Sequence, residues 1–313
     1  MTPRLSVIIA AYNCGPYLPA AIDSLLHQTL RPHEIIVVDD GSTDETPAVL
    51  ARYAERIIMI RQANAGETAA RNRALEAATG DFVAVLDADD ISAPTRLEKQ
   101  AAALTDQPDA IACVTGFWRF SDTTAHLAGI DGDDRATTAE VPDFWTDAAL
   151  VCAGSVMFHR HKAEGLRYPP GIRSGGDMLF LGMLRSRGRV VVLKEHLYGY
   201  RVRPGSASHV HSDIDGFQAR WNWAKDNWRT YWPAGSEAEL ERRFWFHLAE
   251  LTERVYWARR REPFLKLRAF LSTHWPAHLP APSVTRWRWY PDWLWKAKET
   301  IDRVLRYRPA LRR

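Results

Sequence analysis

Over its first 115 residues the chain alternates short Val- and Ile-rich runs with stretches whose apolar residues recur at helical spacing, an order that few folds accommodate. Leu5 to Ala11 reads as a strand, and Leu18, Ile22, Leu25 and Leu26 mark a helix after it. Glu34 to Asp39 is a second strand, and Ser42 with Glu45 forms the S-x-x-E pattern of a capping box opening a helix to about Ala54. A third strand is expected at Ile57 to Ile60, a helix at Glu67 to Ala78 stopped by Gly80, and a fourth strand at Phe82 to Leu86. Pro94 suits the first turn of another helix, and Ile111 to Phe120 returns to β. Strands separated by helices of this length require right-handed crossovers. The expected fold is therefore α/β, a mostly parallel sheet covered by helices on both faces.

Such sheets bind ligands beyond the carboxyl ends of their strands. The polar residues gather at those ends: Tyr12 and Asn13 after the first strand, Asp39 and Asp40 after the second, and Asp87, Asp89 and Asp90 after the fourth. In LDADD, the carboxylates of Asp87 and Asp89 sit one residue apart on an extended turn, and such hard oxygens suit Mg²⁺ or Mn²⁺ with phosphate oxygens as further ligands. A solvated acidic turn is the plainer alternative. Asp40, followed by Gly41 and Ser42, offers an acceptor for a base or ribose, and Tyr12 offers a ring face or packs at the strand end. Arg71 can counter phosphate or the acidic cluster, or serve as a structural ion pair.

Four segments together carry a resemblance. SVIIAAYN at 6–13, IIVVDDGSTD at 35–44, NAGETAARNRAL at 64–75 and LDADD at 86–90 resemble, in order and spacing, the signatures of glycosyltransferase family 2, inverting enzymes with the Rossmann-like GT-A fold. The resemblance spans roughly residues 4 to 208. It implies a nucleotide-diphosphate sugar donor, with Ala10, Tyr12 and Asp40 around the base, Arg71 nearby, Asp87 at ribose or sugar hydroxyls, and Asp89 on a divalent metal, Mn²⁺ or Mg²⁺. Ala11 stands where the family usually has Pro or Thr.

The family also has an E-D pair opening a helix, and the matching stretch is SGGDMLFLGML at 174–184, which makes Asp177 the implied catalytic base. Gly176 occupies the usual Glu position, and a helix-capping role is the alternative for Asp177. YGYRVRPGSASHVH at 198–211 resembles the family's Tyr-Arg strand and following loop, offering Arg201, Arg203, His209 and His211 as diphosphate or metal contacts. The implied reaction is sugar transfer from a UDP- or dTDP-sugar to a hydroxyl of a glycan or lipid-linked acceptor, as in polysaccharide and cell-envelope biosynthesis.

Charge divides the chain differently. The net charge is +3 overall but −7 before Val255 and +10 from there on, and eleven of the 13 tryptophans fall at or after Trp221. The expected organisation is a catalytic domain at 1–214, with a nucleotide-sugar half near 1–115 and an acceptor half near 116–214, followed by a helical Trp- and Arg-rich region at 215–313. In that region Leu240, Phe244, Leu248, Leu251 and Val255 mark one helix, with Ser236 and Glu239 as its capping box, and Trp293 to Leu305 marks another. Basic, Trp-bearing helices suit an anionic membrane surface, or packing against the catalytic domain or a second copy in a homodimer. No nucleic-acid-binding module is recognisable.

No apolar run is long enough to span a bilayer, and Arg4 followed only by Leu5 to Ala11 is short for a secretory signal, so the expected location is the cytoplasm, extending to the inner face of the plasma membrane. Cys14, Cys113 and Cys152 are widely spaced and read as buried free thiols. A receiver-type signalling domain would share VVDD but needs a Lys on a later strand, and none occurs before Lys99. A catalytically inactive sugar-nucleotide binding protein stays open because of Gly176.

Overall fold

The computed structural model describes residues 3–121, 152–172, 175–203, 214–231, 237–257 and 261–286. They divide between two compact units, Met1–Arg243 and Phe244–Arg313.

The first unit is built on an eight-stranded sheet. Its strands are β1 (Leu5–Ala11), β2 (Glu34–Asp39), β3 (Ile58–Arg61), β4 (Phe82–Val85), β5 (Ile91–Ser92), β6 (Ala110–Phe120), β7 (Met157–His159) and β8 (Arg189–Arg201), in spatial order β3-β2-β1-β4-β7-β6-β8-β5. The β3-β2-β1-β4 half is parallel, with Ile8 opposite both Ile36 and Val85. Beyond β4 the sheet becomes mixed: β7 runs antiparallel to β4 and β6, β5 antiparallel to β8, and β6 parallel to β8.

Strand alternation sends apolar side chains to both faces, as a sheet covered on both sides requires. Leu5, Val7 and Ile9 of β1 join a core with α1 (Leu18–Leu26), α2 (Thr46–Ala51) and α4 (Arg96–Asp106), through Leu18, Ile22, Leu50, Leu97 and Leu104. Ile8, with Ile36 and Val83, faces α3 (Glu67–Ala77) and α5 (Gly176–Arg185), through Ala70, Ala74, Phe180 and Leu184. The helix α6 (Ile214–Tyr231) packs on α5.

Two local expectations are corrected. Ser42 does not cap α2: its Oγ accepts from the Asn13 amide at 2.9 Å, and the helix starts at Thr46 after Glu45, with no side-chain cap. The same hydroxyl that fits a cap serves instead to tie two loops together. The helix α3 ends at Ala77, before Gly80, because Ala78 already adopts extended backbone.

In the second unit, the end of α7 (Glu237–Trp257), α8 (Arg261–His274) and a 3₁₀ turn at Ser283–Arg286 bury Phe244, Leu248, Phe264, Leu267, Leu271 and Val284. Trp245 stacks on Phe270 at 6.0 Å and meets Trp275 edge-on at 5.9 Å. Ser236 and the helix expected at 293–305 lie outside the described residues. No helix among the described residues is long and apolar enough to cross a membrane.

Candidate active site

The carboxyl ends of β1, β2 and β4 are neighbours, so the three polar segments following them share one rim. Side chains lace the first two segments together. Asn13 Oδ1 accepts from the Thr43 amide at 2.9 Å, the Cys14 amide donates to Thr46 Oγ1 at 2.9 Å, and the Gly15 amide donates to Asp44 Oδ2 at 3.1 Å. Asn13 itself adopts a left-handed backbone, φ 50°. Tyr12, just before it, is 48% exposed, so its ring is available for stacking rather than packed away. Ala10 pairs with Val38, one residue before the β1–β2 pairing ends at Ala11 and Asp39.

Asp40 is buried, and its carboxylate is held by neutral donors. Oδ1 accepts from Gln62 Nε2 at 2.7 Å and the Ala65 amide at 2.9 Å, and Oδ2 from the Gly66 amide at 2.8 Å. A carboxylate has about four lone-pair sites, so one acceptor position remains. Its neighbour Asp39 accepts from the Ser42 amide at 2.9 Å and pairs with Arg61 at 3.3 Å.

Asp87 and Asp89 bind different cations. Arg71, 3% exposed, places Nη2 2.5 Å from Asp87 Oδ1, while Arg203 Nε donates to Asp89 Oδ2 at 2.7 Å. Arg201 donates from Nε to the Asp89 carbonyl at 2.6 Å, and its guanidinium lies over Phe120 and Tyr17. Arg201 and Arg203 thus both reach the D-x-D turn. His209 and His211 lie outside the described residues.

Asp177 stands in the first turn of α5, where its Oδ1 accepts from the following Met178 amide at 2.9 Å. Its charge bears on Glu67, Arg71 and Tyr168, so the start of α5 belongs to the same electrostatic neighbourhood as Asp87. A Cβ at Gly176 would lie 2.5 Å from Thr68 Cγ2, because α5 begins against α3.

Other contributors were given no role by the sequence, although Tyr198 opens the 198–211 segment and Asp90 closes LDADD. The Tyr198 hydroxyl donates to Asp90 Oδ2 at 2.6 Å and accepts from the Asp87 amide at 3.3 Å, and the Arg201 amide donates to Asp90 Oδ1 at 2.7 Å. Burial pushes the Asp90 carboxyl well above the usual range, with the charges of Asp87 and Asp89 adding to it. Gly154 admits this arrangement, since a Cβ would come 2.5 Å from the Tyr198 hydroxyl and 2.6 Å from Asp87 Oδ2. Tyr168 lies under Arg71, 5.5 Å from its guanidinium, and Asn72 fixes it by bonding both its carbonyl and its amide. Only the tertiary pairing of β8 and of the segment before α5 brings these tyrosines in.

The thiols are not poised as nucleophiles. Burial pushes Cys14 up to about 11 and Cys113 up to about 12, so both stay protonated at neutral pH.

Among the described residues no three His, Cys, Asp or Glu side chains gather into a metal cluster. Asp89, 21% exposed and with Oδ1 beyond its Arg203 contact, still fits a Mg²⁺- or Mn²⁺-type ion, which keeps waters and needs only one or two carboxylates besides phosphate.

The family model for "Glycosyl transferase family 2" matches residues 6–162. The chain is 43% identical over 225 residues to the uncharacterized glycosyltransferase YibD of Escherichia coli K12, covering 67% of this chain and 64% of that one. It is 32% identical to the putative teichuronic acid biosynthesis glycosyltransferase TuaG of Bacillus subtilis 168, covering 73% and 87%. The chain thus spans less than two thirds of the first curated relatives it matches. Among solved structures, S. aureus TarS 1–349 in complex with UDP-GlcNAc superposes with a TM-score of 0.58 at 21% identity, covering 78% of this chain and 71% of that one. The mannosyltransferase PcManGT of Pyrobaculum calidifontis, in complex with GDP-Man and Mn²⁺, gives 0.57 at 21% identity, covering 96% and 81%. These likenesses establish the GT-A fold.

Proposed function

The chain belongs to glycosyl transferase family 2, and from that premise we propose that it transfers a sugar, with inversion, from a UDP- or dTDP-sugar to a hydroxyl of a glycan or lipid-linked acceptor. The observation that carries the reading is the meeting of Arg71, Asp87 and Asp177 in one electrostatic neighbourhood, though they come from three distant segments. In this reading the acceptor half is assigned to residues 116–214, and the C-terminal region proposed for 215–313 begins inside the first compact unit, which runs to Arg243.

In this reading Tyr12 stacks on the base and Asp40 accepts from the imide N–H through its remaining lone pair. Asp87 receives ribose or sugar hydroxyls, sharing its carboxylate with Arg71. Asp177 takes the acceptor hydroxyl proton as that oxygen attacks the anomeric carbon from the side opposite the diphosphate. Arg203 and Arg201 both contact Asp89 of the D-x-D turn and offset negative charge building on the departing diphosphate. A divalent ion on Asp89 would add electrostatic stabilisation of the same leaving group. No step calls for a covalent enzyme intermediate.

Turnover of a UDP- and dTDP-sugar panel, with Mn²⁺ or Mg²⁺, tests this. Asp177→Asn is expected to lower kcat by roughly 10²-fold or more while donor binding, followed by thermal shift, persists. Full turnover in that variant would remove Asp177 from its role, and a wild-type chain silent on every donor would sink the reading as a whole.

A further inference from the structure

Glu67 belongs to none of the roles above, yet it touches the residue at the centre of the site. It opens α3, one turn before Arg71, and its Oε1 lies 2.7 Å from Arg71 Nη2. That nitrogen is the one bonded to Asp87 Oδ1 at 2.5 Å, so two carboxylates share its two hydrogens. Arg71 Nε is buried with no hydrogen-bond partner among the described residues, and the Tyr168 ring covers the guanidinium. The orientation of Arg71 therefore rests on how Glu67 and Asp87 divide Nη2 between them.

We infer, within the donor reading proposed above, that Glu67 is a positioning residue for the donor: by holding one hydrogen of Arg71 Nη2 it keeps the guanidinium from closing fully onto Asp87, leaving Asp87 free to receive donor hydroxyls. An arginine without this second partner turns its fork toward a single carboxylate and pairs with it bidentately. Asp87 would then be occupied by protein rather than by sugar or ribose.

The surroundings are those of a functional group held at some cost. Half of the Glu67 side chain is open to solvent, its contact is with Arg71 of its own helix, and the charges of Asp87, Asp177 and Asp89 act on it. Arg71 draws its carboxyl down, but desolvation and the three aspartates outweigh that cation and push it up to about 7.

The experiment compares Glu67→Gln, Glu67→Ala, Glu67→Asp and Asp177→Asn with the wild-type chain, reading donor KM and kcat on the best UDP-sugar, the Kd for UDP with Mn²⁺, and melting temperature. Glu67→Ala is expected to raise donor KM and the Kd for UDP on the order of tenfold with kcat little altered, and Glu67→Gln, which still accepts from Nη2, less so. Neither is expected to melt much below the wild-type chain, because the ion pair that each loses is half exposed on the Glu67 side. Unchanged donor KM in Glu67→Ala, or a lowered melting temperature that accounts for the loss, overturns the inference. A loss confined to kcat, matching Asp177→Asn, also overturns it. Failure of the donor reading itself is seen separately, as absence of wild-type turnover and of any effect in Asp177→Asn.

Discussion

The two acidic pairs on the rim are alike in sequence and opposite in construction. Asp40 is buried and satisfied by two backbone amides and a glutamine amide, neutral donors fixed by the fold. Asp87 and Asp89 keep part of their surface open and are balanced by the side-chain cations of Arg71 and Arg203. A carboxylate set in amides has little freedom to answer a ligand, which suits the recognition of a flat base. One balanced by arginine side chains can exchange partners when a diphosphate and a cation arrive. Under the proposed donor reading, the difference separates a rigid reading element from an adjustable charged one.

Substitutions that strip each pair of its charge sharpen this contrast. Asp89→Asn is expected to have the largest effect on function, a drop in metal-stimulated turnover of roughly 10²-fold, worth about 2.7 kcal/mol in the barrier. Melting should hardly move, because the Arg203 contact it weakens is partly solvated. Kinetics with and without Mn²⁺, set beside a melting curve, check both halves. Asp40→Asn reverses the pattern: it sets an amide NH₂ among the donors of the Gln62–Gly66 segment and should cost about 1–3 kcal/mol of stability, read by denaturant unfolding. Equal stability losses in the two variants would erase the contrast. Tyr198→Phe is the mildest, costing about 1 kcal/mol by leaving Asp90 Oδ2 short of a donor, with donor KM rising because the Asp87 amide loses its acceptor. A Tyr198→Phe chain indistinguishable in melting and in KM would show that the turn stands without it.

Much of the first half was legible from periodicity. Strands β1, β2 and β4 and helices α1 and α3 fall within a residue or two of their expected limits, because both faces of this half are buried and the apolar pattern must follow. The α2 start was misread because Ser42 and Glu45 satisfy a capping pattern that says nothing of Asn13, 29 residues away, as a competing partner. Beyond β4 the mixed order and the short strands β5 and β7 left little periodicity to read. The charge asymmetry of the C-terminal region was plain, whereas the burial of Trp245 among Phe270 and Trp275 was not, since tryptophan suits both a core and an interface.

The sequence by itself determined the strand and helix succession of the first 115 residues and the four segments that carry the family, because local periodicity and contiguous motifs need no knowledge of distant residues. Which cation answers which carboxylate was decided only by the tertiary structure. Arg71 on Asp87, Arg203 on Asp89, Tyr198 on Asp90 and Thr68 against Gly176 join positions 16 to 114 residues apart. Such contacts depend on the register of β6 with β8 and on the seating of α5 against α3, which no local pattern encodes.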